Sequence, residues 1–332
     1  MGELILQDKI LGKFNKTKEV NKLAKSFQIP ANEMLWLVLR YQVESKYKNL
    51  EEMIKKLGLE NEELLRNPFN LVNHNYSDKL VEELKKIINE DDLIDDFYGG
   101  SGGSGDSNWI VLTPFYVSEM MARILEVDKN SIVLDNCCGA GALLNGALTT
   151  GAGDVLGVEY DANMWVLAYL SLALRLNKKP SIVKGDAFKE TSNFKNQANV
   201  AIINPPYNYE DNGMPFILEA LDNLKEGGRA AIIVQASAGN GKAKKTNEKI
   251  LEKHSLVGSI KMSDSLFKPF ASVATCIYFF KAHIPHNFNN QSVTFADLSN
   301  DGIKKTSRSI RFTDDTDKLY GEVIERMASI WK

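Results

Sequence analysis

The chain has 332 residues, and its 44% hydrophobic and 25% charged residues are typical of a soluble globular protein. This length accommodates one large domain and a smaller one. The formal net charge of -3 argues against a wholly basic nucleic-acid clamp, although it is compatible with a local basic groove.

The cysteines and the apolar segments exclude further classes of protein. Cys137, Cys138 and Cys276 have the spacing neither of a zinc site nor of a disulfide framework, which predicts no metal site and a reducing, cytoplasmic location. The first residues lack the apolar stretch of a signal peptide. The apolar run from Met164 to Leu174 is too short to span a bilayer, so we expect no membrane association.

Apolar residues repeat at helical spacing from residue 14 to residue 97. Pro30 interrupts the pattern, and Ala31-Asn32-Glu33 starts the next helix. The apolar stripes are Val20, Leu23 and Phe27; Met34, Leu35, Val38 and Tyr41; Leu50, Met53, Ile54 and Leu57; and Leu80, Leu84, Ile87 and Ile88. We therefore predict a helical N-terminal domain over residues 1–98, made of about four short helices.

A Gly/Ser run, Gly99-Gly-Ser-Gly-Gly-Ser-Gly105, follows this region. Its composition is that of a flexible linker, and its regularity is typical of an engineered one. A natural hinge is the alternative. Both interpretations place a domain boundary at residues 99–105, so the second predicted domain covers residues 106–332.

After the linker, short apolar strands alternate with helical stretches, which predicts an α/β fold with a parallel sheet. The predicted strands are Ile132 to Leu134, Asp154 to Val158, Ser181 to Val183, Val200 to Ile203 and Ala230 to Val234. The predicted helices are Leu143 to Thr149, Asn163 to Leu176 and Phe216 to Leu224. Three later strands lack long helices between them and favour an antiparallel hairpin at one edge of the sheet: Val257 to Ile260, Ala274 to Phe280 and Val293 to Phe295.

The segment from Val133 to Leu144 contains a strand, a loop of small residues and the start of a helix. Gly139 and Gly141 allow close backbone approach, and the helix N-terminus offers free N–H groups. A dinucleotide-binding loop would have a third glycine where Leu144 stands, and Asp135 would repel a pyrophosphate but could accept from an amino group. The loop therefore suits a cationic cofactor that carries an amino acid, and a tight structural turn is the alternative.

Two more acidic residues follow predicted strands. Glu159 ends the second strand, where a carboxylate can accept from both ribose hydroxyls of a nucleoside. Helix N-capping by Asp161 is an alternative role for this segment, but it does not account for Glu159. Asp186 follows the third strand and could accept from an adenine amino group, with Phe188 packing on the ring, and a plain turn is equally compatible.

The fourth strand ends in Asn204-Pro205-Pro206-Tyr207. Proline cannot continue a central strand, and Pro206 holds the residue before it in an extended conformation. A stiff turn therefore presents Asn204 and Tyr207 at the carboxyl edge of the sheet, where ligands bind in open parallel sheets. Because each of these motifs follows a strand, we expect all of them to converge at this edge.

Together the motifs resemble those of S-adenosylmethionine-dependent methyltransferases, and more narrowly those of N6-adenine DNA methyltransferases. In that family the Asn-Pro-Pro-Tyr turn is the catalytic motif. The segment Leu112 to Met121, with its Thr-Pro pair, resembles a segment of the modification (M) subunits of type I restriction-modification systems, which also have a helical N-terminal domain. The segments Gly227 to Val234 and Ser265 to Ile277 are similar to later segments of the same family.

The resemblance implies a Rossmann-like methyltransferase sheet, S-adenosylmethionine as the cofactor and DNA as the substrate. It assigns catalysis to Asn204, Pro205, Pro206 and Tyr207. It assigns donor binding to Thr113, Pro114, Tyr116, Asp135, Cys137, Gly139, Gly141, Glu159, Tyr160, Asp186, Ala187 and Asn204. The chain departs from the family at Asn136-Cys137-Cys138, where Pro-Ala-Cys or Phe-x-Gly is commoner, but it keeps Asp135 and both glycines.

The resemblance also bears on partners and on rival functions. We see no room for a large target-recognition domain, so we expect that a separate specificity subunit, or a region outside this sequence, selects the target. A nuclease subunit is a further candidate partner. A protein glutamine methyltransferase would share the Asn-Pro-Pro-Tyr turn, because a side-chain amide poses the same chemical problem. Two more rival functions are RNA amine methylation and donor binding by an inactive assembly subunit.

Three features have two interpretations each. Tyr116 either covers the donor or packs in the core. Phe267 and Phe270, with the loop around Pro269, either line a base pocket or pack in the core. The basic run either contacts DNA phosphates or is a solvated helix face, and it comprises Lys242, Lys244, Lys245, Lys249 and Lys253.

Overall fold

The computed structural model describes residues 6–29, 31–62, 65, 78–89, 113–239, 241–268, 273–306 and 309–332, without the side chains of residues 31–33. The Gly/Ser run at residues 99–105 lies outside the described residues, as do Pro30, Pro269 and Phe270. The division into domains at residues 98 and 106 therefore stays a prediction.

Four helices lie within the described part of the N-terminal region, as the apolar repeats predicted. They are α1 (Leu6–Ser26), α2 (Ala31–Lys46), α3 (Leu50–Leu57) and α4 (Asp78–Ile87). The ends of α3 follow from its sequence: the Asn49 side chain accepts from the Glu52 N–H, and Gly58 closes the last turn with a left-handed φ of 67°. The apolar stripes face inward, and Val38, Met53 and Leu84 are fully buried.

The second half of the chain forms an eight-stranded sheet in the order β3-β2-β1-β4-β5-β7-β6-β8. The strands are β1 (Ile132–Asp135), β2 (Asp154–Glu159), β3 (Ser181–Lys184), β4 (Val200–Ile203), β5 (Arg229–Gln235), β6 (Ser255–Lys261), β7 (Thr275–Lys281) and β8 (Thr294–Asp297). The first five run parallel, and Val133 of β1 pairs with Val155 of β2 on one side and Val200 of β4 on the other. Chain order reverses between β1 and β4, and ligands bind beyond the strand ends at such a reversal.

One strand of the sheet, β7, runs against all the others. It lies between β5 and β6 and pairs antiparallel with both. The β6–β7 pair confirms the predicted antiparallel pairing, but the prediction that this hairpin closes the edge of the sheet is wrong. The edge strand beyond this hairpin is β8, which pairs parallel with β6.

Helices cover both faces of the sheet, because successive strand residues point to opposite sides. The helices of this part of the chain are α5 (Phe115–Ile124), α6 (Ala142–Thr150), α7 (Ala162–Leu176), α8 (Ala187–Glu190), α9 (Met214–Asn223), α10 (Lys244–Lys253) and α11 (Thr316–Ala328). Val133 lies in the core beneath α5, α6 and α7, whereas Leu134 lies in the core beneath α9 and α10. A small hairpin of β9 (Lys304–Lys305) and β10 (Ile310–Arg311) precedes α11.

The N-terminal helices pack against the sheet domain. Apolar residues of α1 to α4 belong to the same hydrophobic core as α5, α6 and α7. The Gln7 backbone N–H donates to Asp317 of α11 at 3.0 Å, and the Tyr47 hydroxyl donates to Asn177 after α7 at 2.9 Å. Within the described ranges, no helix is long and apolar enough to cross a membrane.

Candidate functional site

The loop between β1 and α6 adopts a backbone conformation that is strained for any residue other than glycine. Gly139 and Gly141 have left-handed φ values of 53° and 87°. A Cβ built on Gly141 would lie 3.4 Å from the Cβ of Ala168 on α7, so a side chain there would meet both strain and a close neighbour. The Cys138 N–H donates to the Val158 carbonyl of β2 at 3.0 Å, which holds the loop against the next strand.

Glu159 is fixed by two backbone N–H groups. Its Oε2 accepts from the Gly139 N–H and its Oε1 from the Asp161 N–H, both at 2.7 Å. Each carboxylate oxygen keeps a second acceptor site, so both can also take a ligand hydroxyl. Burial raises the pKa of Glu159, and the two N–H groups oppose that shift. Asp161 caps α7 by accepting from the backbone N–H groups of Asn163 and Met164, which is the alternative role that its position suggested.

Asp135 is a buried acid at the end of β1. It is 1% exposed and its Oδ1 accepts from the Cys137 N–H at 3.1 Å. Burial raises the pKa of Asp135 to about 7, and the negative charge of Glu159 adds to the shift. A bound cation beside these two acids would favour the ionised form of Asp135. Burial also raises the thiol pKa of Cys137 and Cys138, which keeps both protonated and unreactive.

Asp186 and Phe188 follow β3, at the same edge of the sheet. Asp186 caps the short helix α8, and its Oδ1 accepts from the Phe188 N–H at 3.0 Å. The Phe188 ring stacks on Tyr209 with a centroid distance of 5.6 Å, and both rings pack against Phe216. This aromatic cluster joins the segment after β3 to the turn after β4. Ala187 is buried beside it.

The Asn204 amide lies at the end of β4, between the strand and α5. Its Nδ2 donates to the Thr113 hydroxyl oxygen at 2.9 Å. Its Oδ1 is buried and has no hydrogen-bond partner among the described residues. A buried acceptor without a donor costs free energy, so this oxygen is a feature to be explained by what binds there.

Gly213, which the sequence analysis did not single out, packs against the two prolines of the turn. Pro205 is buried and Pro206 is exposed. Gly213 has a left-handed φ of 83°, and a Cβ built on it would lie 2.5 Å from Pro205 Cγ. Its signal in the sequence is weak: a glycine directly before the helix that starts at Met214.

Tyr207 completes the turn. Its ring is half-buried and meets Phe267 edge-on at a centroid distance of 6.0 Å. Its hydroxyl is buried without a partner in the described part of the chain, and burial raises its pKa. Phe267 is 3% exposed, so it packs in the core and also borders the turn.

Two of the predicted donor-binding residues, Tyr116 and Tyr160, differ in their exposure to solvent. Tyr116 is buried, its hydroxyl accepts from Lys305 Nζ at 2.7 Å, and its ring packs edge-on against Tyr320. Burial lowers the pKa of Lys305 to about 8. Tyr116 therefore packs in the core. Tyr160 is 78% exposed. Donor contacts of both residues stay predictions.

The basic run lies on and before α10, and all five of its lysines are exposed. Lys253 forms an ion pair with Asp222 at 2.8 Å, and Lys244 one with Glu248 at 3.7 Å. Exposed pairs of this kind contribute little to stability. A role of this face in DNA binding stays a prediction.

Comparison with known proteins assigns a family to this arrangement. A family model described as N-6 DNA Methylase matches residues 101–214 and 209–329, which is more than half of the chain. The chain therefore belongs to the N-6 DNA Methylase family. The resemblance expected from the sequence motifs is confirmed at this level.

Particular relatives agree with this family. The chain is 29% identical over 241 residues to the type II restriction enzyme and methyltransferase RM.BcgI of Heyndrickxia coagulans, covering 64% of this chain and 38% of that one. It is 25% identical over 228 residues to the type I restriction enzyme MjaVII methylase subunit of Methanocaldococcus jannaschii, covering 62% and 37%. The chain thus spans less than two fifths of the length of these curated relatives.

A solved structure agrees in fold. The type I restriction-modification system methyltransferase subunit from Streptococcus thermophilus superposes with a TM-score of 0.60 at 17% identity, covering 96% of this chain and 87% of that one. The predicted Rossmann-like methyltransferase fold with an N-terminal helical region is confirmed.

Proposed function

We propose that this chain transfers a methyl group from S-adenosylmethionine to the N6 amino group of adenine in DNA. The observation that carries the proposal is the buried Oδ1 of Asn204 at the carboxyl end of β4, which has no hydrogen-bond partner in the part of the chain that the structure describes. An exocyclic amine is a poor nucleophile because its lone pair is delocalised into the ring. An acceptor that takes a hydrogen bond from the amine helps to localise that lone pair on nitrogen.

Asn204 and Pro205 are the acceptors in this proposal. The Asn204 Oδ1 and the Pro205 backbone carbonyl each accept one amine N–H. The turn is stiff, and Gly213 packs beneath it, so little reorganisation is needed at the transition state. A neutral amide suits this task better than a strong base, because the amine need not lose a proton before it attacks.

The residues on the β1 and β2 side fit the methyl donor. When bound, S-adenosylmethionine supplies an electrophilic methyl group on a sulfonium. Glu159 offers two fixed carboxylate oxygens to a pair of ribose hydroxyls, and Asp135 offers a buried carboxylate to an amino group. The glycine loop leaves room for close approach of a ligand to its backbone.

Tyr207 would stack on the target base. A base inside a duplex cannot reach this pocket, so it must flip out of the helix, at a cost of a few kcal/mol. Stacking on an aromatic ring recovers about 1–3 kcal/mol of that cost. Phe267, which meets Tyr207 edge-on, borders the same position.

The partners and setting belong to the same proposal. We propose DNA as the substrate, a separate specificity subunit that selects the sequence, and a role in a cytoplasmic restriction-modification or related defence system, with a nuclease subunit as a further partner. The support is the family and the names of its relatives, which are restriction-modification proteins.

Transfer of a tritiated methyl group tests the proposal. Wild-type protein is incubated with labelled S-adenosylmethionine and equal masses of duplex DNA, RNA or protein, with and without a specificity subunit. We expect label in DNA, recovered as N6-methyladenine after digestion. Label in RNA or protein, but not in DNA, contradicts the proposed substrate. Donor binding without transfer to any acceptor, in the presence of the subunit, favours an assembly role.

A further inference from the structure

Thr113 lies two residues before the start of α5 and contacts a residue 91 positions further along the chain. Its hydroxyl oxygen accepts from Asn204 Nδ2 at 2.9 Å. A threonine in front of a helix commonly caps that helix, but Pro114 occupies the cap position of α5 and supplies no side-chain hydrogen bond. The hydroxyl of Thr113 is therefore directed to the catalytic turn instead of to its own helix.

The contact matters because an asparagine amide has two unlike ends of nearly the same shape. One end is an acceptor and the other carries two donors. With Oδ1 toward a substrate amine, Asn204 accepts a hydrogen bond. With the amide reversed, its NH2 group would face the amine donor to donor, and the acceptor needed for transfer would be lost. The rate of transfer thus depends on which end points at the substrate.

Thr113 is well placed to hold this orientation, because α5 is firmly packed. Val117 and Met121 of α5 are fully buried. A Cβ built on Gly146 of α6 would lie 2.2 Å from the Ser118 hydroxyl oxygen, so the two helices approach closely there. Lys305 of β9 donates to the hydroxyl oxygen of Tyr116 in the first turn of α5. This hydrogen bond connects α5 to the β9–β10 hairpin.

We propose that Thr113 is a positioning residue for the transfer step: its hydroxyl oxygen holds the Asn204 amide with Oδ1 directed at the substrate amine. The inference rests on the proposed function, and it gives Thr113 a role in place of the donor binding that the family resemblance implies. Since a hydroxyl can donate as well as accept, the orientation of the amide is itself the first quantity to measure.

The first measurement follows the Asn204 amide without reference to activity. Full-length protein labelled with 15N in asparagine side chains gives amide signals, and the Asn204 pair is identified by its loss in N204A. In the wild-type protein and in T113S, we expect these protons to exchange slowly with solvent. In T113V, which keeps the shape and removes the hydroxyl, exchange should be faster by about tenfold or more. An Asn204 signal that is unchanged in T113V overturns the proposal.

The second measurement separates positioning from donor binding. In T113V, the single-turnover rate at saturating S-adenosylmethionine and duplex DNA should fall about tenfold or more, while the donor Kd from calorimetry stays unchanged. T113S should restore the rate. S118A is the matched control, because it removes a buried hydroxyl of α5 that donates only to the Phe115 carbonyl in the described structure. Its rate should equal that of the wild type.

The outcomes are distinct. A T113V protein with a weakened donor Kd and a normal rate at saturation makes Thr113 a donor ligand and contradicts the proposal. If T113V does not fold, T113A takes its place with the same expectations. If the wild-type protein methylates no DNA, the proposed function fails, whereas the amide exchange rates still decide whether Thr113 orients Asn204.

Discussion

At the carboxyl end of β2, both carboxylate oxygens of Glu159 accept backbone N–H groups, whereas at the end of β4 the Asn204 Oδ1 is buried with no partner in the described residues. The two sides of one sheet edge thus differ in how their polar atoms are satisfied. On the Glu159 side, backbone N–H groups hold the carboxylate in place. On the Asn204 side, the described structure leaves an acceptor open.

This difference indicates two tasks. A carboxylate pinned by the backbone keeps its geometry whether or not a ligand is bound, which suits recognition of a cofactor common to many enzymes. An unpaired buried acceptor carries a free-energy cost of about 1–3 kcal/mol until a donor arrives. Such an atom suits a group whose hydrogen bond is made during the reaction.

Removal of the open acceptor tests this division of tasks most severely. N204A should lower the methyl-transfer rate by at least about 100-fold, as removal of a preorganised hydrogen-bonding group does in other enzymes. Donor binding should persist, because Glu159 and Asp135 are untouched. Rates come from tritiated methyl transfer to DNA and donor affinity from calorimetry. The matched control is N208A, an exposed asparagine of the same turn, which should keep wild-type activity.

An opposite result would be informative. If N204A loses donor binding together with activity, the turn supports the structure of the whole edge, and the assignment of separate tasks to its two sides is wrong.

A second prediction concerns the support beneath the turn. G213A combines left-handed strain of about 1–2 kcal/mol with a contact to Pro205, so it should displace the turn and lower the transfer rate by about 10- to 100-fold. G227A has a similar φ, 72°, but nothing within 4 Å of the added Cβ, so it should lose only stability. The measurements are the transfer rate and the unfolding free energy. Equal rates in the two variants would exclude a role for the Gly213–Pro205 contact.

The donor side is tested by E159Q. The glutamine NH2 would face either the Gly139 or the Asp161 N–H, donor against donor, so the loop loses one of its two fixed contacts. We expect the donor Kd to rise about 10- to 100-fold, with a normal rate once donor saturates the site. E226Q changes an exposed carboxylate elsewhere and should leave the Kd as it is. A reduced rate at saturation would show that Glu159 also serves the chemical step.

A pH dependence through Asp135 should be the mildest of these effects. Burial raises its pKa from 3.8 to about 7, so its contribution to stability is complete below pH 3.8 and is lost as the pH rises to about 7. A cationic donor binds the ionised form, so its affinity should increase by up to about tenfold per unit from pH 6 toward pH 7 and then level off. Calorimetry across this range provides the test. D135N should bind the donor weakly at every pH. If the donor affinity of D135N rises with pH as steeply as that of the wild type, the titration belongs to another group.

Much of this arrangement was predictable from sequence alone. Short apolar runs alternating with helical stretches predicted the parallel strands. Both patterns can be read from residues that are close in the sequence. Asp135 and Glu159 end their strands, and Asp186 and Asn204 follow theirs. Parallel topology alone therefore brings all four residues to one edge. The order of these motifs indicated the family, which the comparison with known proteins confirmed.

The remaining features depend on contacts between distant residues. No pattern links Thr113 to Asn204 or Lys305 to Tyr116, because each pair meets only through tertiary packing. A lone lysine such as Lys305 is expected at the surface, and only the fold shows that it is partly buried with its Nζ against the Tyr116 hydroxyl. The place of β7 between β5 and β6 likewise follows from strand pairing rather than from local propensity.

The position of β7 has a consequence for how the molecule folds. β6 is earlier in the chain than β7, yet it can join the sheet only through β7, which fills the space beside β5. Until residues 275–281 are in place, β5 presents an open edge whose central residues are strongly apolar. Such an edge is a site for pairing with other chains during synthesis or refolding. We therefore expect the yield of refolded protein to fall steeply with protein concentration.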